Sequence, residues 1–175
     1  MRLCFPDLVA HIDFKREEKR FDNFQFSSEV SARTIHVTGE KPAVLKGVDL
    51  TLDKAESAYK KRDLTAAKDL YLSVLTETTV KSVHAKAYYG LARIAILQRD
   101  PEVGDRLFRK VLELEPDAYT KSWSLLYLAR LADSQGDRDQ AQEHYKAALA
   151  VEGAPDSVRE AAQKGLKEAF DKNKF

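Results

Sequence analysis

From about Val48 to Pro155 the apolar positions recur every three or four residues, the spacing that lays side chains along one face of a helix. Around residue 90, Tyr88, Leu91, Ala92, Ala95 and Ile96 fall on one such stripe. A polar turn follows, and then Asp100 stands where it can cap a second helix by accepting from the free backbone N–H groups. Pro101 comes next, at a first helical position, where its missing donor costs nothing. The pattern predicts two helices joined by a short turn.

Before Val48 the periodicity changes. Leu8, Ala10, Ile12 and Phe14 alternate with His11, Asp13 and Lys15, as in a half-buried strand, and Phe24 and Phe26 followed by Val30 and Ala32 suggest a second one. The charge run from Lys15 to Arg20 reads as the turn between them. Ile35-His36-Val37 leads into Thr38-Gly39-Glu40-Lys41-Pro42, a turn and linker. Two or three strands alone are marginally stable in water. Residues 1–47 are therefore expected to pack on the helices, to pair with another chain in self-association, or to be the remnant of a larger domain.

The helical part repeats. Asp63, Asp100 and Asp137 stand 37 residues apart, and the same interval relates Ala55, Ala92 and Ala129, then Ala67, Gly104 and Ala141, then Tyr71, Phe108 and Tyr145. Val74, Val111 and Ala148, followed by Leu75, Leu112 and Leu149, keep the register. Each aspartate suits a helix N-cap, and Gln140, three residues after Asp137, resembles the second half of a capping box. The small residues fit where helices cross closely, and the aromatic column fills the space between units. One unit cannot bury its apolar face alone, so each is stabilised by stacking on the next. After the third unit, Ser157-Val158-Arg159-Glu160 reads as a capping box opening one more helix, through Ala161, Ala162, Leu166, Ala169 and Phe170, with Lys164, Lys167 and Lys172 on its wet face.

These residues resemble a known family. Tyr88-x-x-Leu91-Ala92-x-x-Ala95, then Gly104-x-x-x-Phe108 and Pro116, is similar to the tetratricopeptide repeat signature, and Leu128-Ala129, Ala132, Gly136-Asp137, Ala141, Tyr145 and Ala148 repeat it. The first unit departs most, with Thr51 and Lys54 in places the family gives to an aromatic and a leucine, and Thr79 and Gly153 stand where the first and third units would close on proline. The interval exceeds the family's usual 34 or so, and the extra residues are assigned to joints around Val80-Lys81-Ser82 and Ala118-Tyr119-Thr120.

The resemblance implies an all-α, TPR-type α-solenoid of three repeats at about 48–81, 85–118 and 122–155 with a capping helix and tail at 156–175, preceded by the strand-rich segment that the alternation predicts at 1–47. It also implies a protein-interaction scaffold and not an enzyme. Family members bind peptides along the concave face lined by each first helix, which carries over to Tyr59, Lys86, Tyr89, Arg93, Trp123, Leu126 and Arg130. With Arg93 and Arg130 one interval apart and able to fork onto carboxylates, an acidic or C-terminal peptide is the expected ligand. The alternative is the recognition or assembly arm of a larger enzyme whose catalytic domain is not in this chain.

Charge and chemistry narrow the picture. Twenty-nine basic residues against twenty-eight acidic ones leave no overall field for nucleic acid or anionic membranes, so any charged site is local. No run of about 18 apolar residues is present to span a bilayer, and Met1-Arg2-Leu3-Cys4-Phe5-Pro6-Asp7 interrupts a signal-peptide core. A lone Cys4 points to a reducing compartment such as the cytoplasm. His11, His36, His84 and His144 have no partners at a metal spacing, and no phosphate loop or nucleophile elbow occurs, so no cofactor, metal or catalytic residue is expected.

Overall fold

A computed structural model describes residues 42–171. The expected strands, with Cys4, His11, Asp13 and His36, lie outside the described residues. Among those described there are seven helices and no strand: α1 (Pro42–Lys60), α2 (Leu64–Glu77), α3 (Lys81–Leu97), α4 (Pro101–Leu112), α5 (Ala118–Gln135), α6 (Arg138–Leu149) and α7 (Asp156–Lys167). None of them is long and apolar enough to cross a membrane.

The turns inside the three helix pairs are built alike. Arg62, Arg99 and Gly136, again 37 residues apart, adopt left-handed backbone with φ of 66°, 63° and 87°. That conformation brings the N–H groups of Asp63, Asp100 and Asp137 back to the carbonyls of Ala58, Ala95 and Ala132, at 3.0, 2.9 and 2.9 Å, the six-to-one bond that closes a helix C-terminus. The same three carboxylates then accept from the N–H groups of Ala66, Val103 and Gln140, at 3.1, 3.1 and 3.0 Å. One residue thus satisfies unpaired groups of two helices. Only Gly136 takes the left-handed turn without a side-chain penalty, which is about 1–2 kcal/mol for other residues. Gln140 does not complete a capping box, because the Asp137 N–H is already bonded to Ala132; its amide reaches the Asp137 carboxylate instead, at 3.2 Å.

Several boundaries differ from the sequence reading. α1 begins at Pro42, in the stretch read as linker, since proline suits a first helical position as well as a turn. Lys81, Ser82 and Ala118–Thr120 are not joints but the first residues of α3 and α5. Asp117 accepts from the Thr120 N–H at 2.9 Å and so starts α5 early. α7 opens at Asp156, after Pro155, whose carbonyl takes the N–H groups of Val158 and Arg159; Ser157 lies inside the helix and caps nothing. The helix stops at Lys167, leaving Ala169 and Phe170 beyond it. The Phe170 N–H is bonded to the Asp133 carboxylate at 2.8 Å.

Three apolar clusters tie neighbouring pairs together. Ala55, Ala67, Tyr71 and Val74 of the first pair share a cluster with Leu91 and Ile94 of α3. Phe108 and Val111 of α4 join Ala92 and Ile96 to Leu128 and Leu131 of α5. Ala141, Tyr145 and Ala148 of α6 join Leu126 and Ala129 to Val158 and Ala162 of α7. In each case the column aromatic projects onto the following unit: Tyr71 lies against Gly90, Phe108 stacks on Tyr127 with centroids 4.8 Å apart, and Tyr145 lies against Gly165. A Cβ at Gly90 would fall inside the buried Tyr71 ring, whose hydroxyl is itself held by Glu56. Gly90→Ala is therefore expected to destabilise by about 1–3 kcal/mol, the usual range for overpacking. A urea midpoint equal to that of the wild type would contradict this contact.

Candidate functional site

A cavity of about 720 Å³ runs along the first helices of the pairs. Its wall takes Asp49, Leu52, Asp53 and Glu56 from α1, Lys86 and Tyr89 from α3, and Asp117, Tyr119 and Thr120 from the start of α5; Tyr71 reaches in from α2. Helical periodicity places Asp49, Asp53 and Glu56 on one side of α1. Asp117 is there because it caps α5, and Tyr119 because the helix has just begun; its ring meets Tyr89 edge-on at 6.5 Å.

The wall is fastened by Arg93. Its Nη2 donates to Glu56 Oε2 and, at 3.3 Å, to the Tyr71 hydroxyl, which itself donates to Glu56 Oε2 at 3.1 Å. The guanidinium carbon lies 4.2 Å from the centroid of Tyr59 and 4.6 Å from that of Tyr89, within reach of cation–π attraction to both rings. Burial works against the Arg93 charge, but Tyr89 and the Glu56 carboxylate outweigh it, and its pKa rises further above neutrality. Burial also pushes the phenols of Tyr71 and Tyr89 well above their ordinary value, against the opposing pull of Arg93, so both stay neutral hydroxyls at physiological pH.

The residues expected to line a groove separate into three groups. Lys86 and Tyr89 do line the cavity. Tyr59 and Arg93 form the packed layer beside it, with the guanidinium committed to Glu56, Tyr71 and the two rings. The third-unit members are elsewhere. Leu126 is 0% exposed, in the core shared with α7, and so offers no surface. Trp123 is half-buried against Tyr119 and Tyr127 and packs on two core clusters. Arg130 lies under the Phe170 ring, 4.9 Å from its centroid, in a separate small hollow with Tyr145 and Lys164.

Two consequences follow for the ligand. The expected acidic peptide depended on Arg93 and Arg130 as forks along one groove, but the first is paired with Glu56 and the second lines a separate hollow beside Phe170, so the two do not meet in this cavity. The cavity instead presents Asp49, Asp53, Glu56 and Asp117 against one cation, Lys86, whose ammonium is 3.9 Å from Asp117. Register marks two of these acids in the sequence: one interval before Lys86, Tyr89 and Arg93 stand Asp49, Leu52 and Glu56, whereas Asp53 and Asp117 have no such counterpart. Tyr59 is out of that register. Among the described residues no group of three or more His, Cys, Asp or Glu is arranged to hold a metal ion.

Compared with known families, residues 85–118 match the family model described as Tetratricopeptide repeat. A comparison with curated proteins found no match.

Proposed function

We propose that this chain, whose residues 85–118 match the tetratricopeptide repeat, a family whose repeats mediate protein–protein interaction, is a scaffold holding an extended segment of a partner protein in the cavity along α1, α3 and α5. On this reading the pairs α1–α2, α3–α4 and α5–α6 are three repeats of an α-solenoid, and α7 covers the last apolar face. Stacked repeats turn successive first helices into one continuous surface, and a cavity walled by three first helices in succession is the observation that carries the proposal. Its mixed lining of tyrosines and charged groups suits a peptide whose side chains are read in turn, with Tyr119, 54% exposed, as an aromatic anchor at the rim. On this reading the binding surface runs over the first two units and the start of the third, since Leu126 is buried and Arg130 lines a separate hollow.

A photo-crosslinking amino acid in place of Tyr119 is expected to form covalent protein adducts in cells. The same group in place of Leu72, exposed on α2 and outside the cavity, is expected to form few.

A further inference from the structure

We infer that the segment bound in this cavity is cationic, a stretch of partner protein carrying two or more arginine or lysine side chains. The inference rests on the groove reading above and adds the chemistry of the ligand. The whole chain is formally +1, so the acidic character of the cavity is local. Asp49 and Asp53 lie four residues apart on α1, both exposed, where like charges are close neighbours on the helix surface. Among the described residues neither makes an ion pair. A bound cation relieves the repulsion between them.

The second observation is the wall's own content. Arg93 shows how this surface holds a guanidinium: one carboxylate, Glu56, at its edge and tyrosine rings at its faces. The open part of the cavity repeats those ingredients, with Asp49, Asp53 and Asp117 in place of Glu56 and the exposed Tyr119 ring beside them. An arginine entering from outside meets the same carboxylate and aromatic chemistry, and low-dielectric walls concentrate the field of the acids on it. An acidic segment would meet Asp49, Asp53 and Asp117 with Glu56 already neutralised by Arg93, and the one lysine it could approach faces Asp117.

The test is fluorescence anisotropy on the full chain with two labelled ten-residue probes, one of arginines spaced by glycine and serine, the other with glutamates in the same places. The arginine probe is expected to bind, and to bind less tightly as salt rises. Asp49→Asn/Asp53→Asn should weaken it at least tenfold. Asp139→Asn/Glu152→Gln, which removes the same charge from exposed sites outside the cavity, should change it less than twofold. Melting curves confirm that both variants are folded.

The inference is overturned if the arginine probe does not bind, if both double variants weaken it equally, or if neither does. Tighter binding of the glutamate probe also overturns it. If that glutamate probe cross-links at position 119, the groove reading survives while the cationic one falls; if cellular adducts fail to form at position 119, the groove reading itself has failed.

Discussion

Phe108→Ala is expected to lower the free energy of unfolding by about 3–5 kcal/mol, the range for deleting a buried phenylalanine. The ring is fully buried, stacked on Tyr127 at 4.8 Å and tilted against Tyr89 at 6.1 Å. Its cluster contains Ala92 and Ile96 of one pair and Leu128 and Leu131 of the next, so truncation opens a void at a junction between units. The loss falls on the coupling between neighbours, which in stacked repeats is a separate contribution to stability. Chemical denaturation should show a lower midpoint and a broader transition, as the two sides begin to unfold independently. A midpoint unchanged from wild type would mean that this seam does not join the pairs.

Asp133→Ala should have an effect of similar size. The carboxylate is 0% exposed and accepts from Arg138 Nη1 at 2.9 and 3.2 Å, from the Tyr145 hydroxyl at 2.9 Å and from the Phe170 N–H at 2.8 Å. Removing it leaves a partly buried guanidinium, a phenol and a backbone N–H without their common acceptor. Breaking a buried ion pair by deleting one partner typically costs about 3–5 kcal/mol. Asp133→Asn preserves the shape and one acceptor oxygen, and should fall between the wild type and the alanine variant. Exposed Asp139→Ala provides the reference. If Asp133→Ala unfolds at the same denaturant concentration as that surface change, the carboxylate does not organise the end of the chain.

What could be read from the sequence divides along physical lines. A helix cap is a local interaction, so Asp63, Asp100 and Asp137 announce themselves, and the aromatic and alanine columns follow because each unit meets the same kind of neighbour. The left-handed turn before each cap was hidden at Arg62 and Arg99, since only Gly136 carries the residue type that advertises it. The true ends of α7 depended on Pro155 and on the Asp133–Phe170 bond, a contact across 37 residues that no local motif encodes.

The site was legible in part for the same reason. Residues one interval apart face each other across successive units, so Glu56 and Arg93 form one column in which opposite charges neutralise. One interval before Arg93 and Lys86 stand Glu56 and Asp49, so the register carries that pairing and one of the exposed acids of α1, but not Asp53. Leu126 is buried and Arg130 lies apart from the cavity because equivalent positions do not have equivalent surroundings beside the last helix pair. There the next element is α7 with its tail, which packs over Leu126 and lays Phe170 on Arg130.

The comparison of cross-linking from positions 119 and 72 bears most directly on the groove. The account predicts adduct yields at least five times higher from position 119, suppressed by an excess of the unlabelled arginine probe. Equal yields from the two positions, or adducts from position 72 alone, would place the partner on the other face and contradict it.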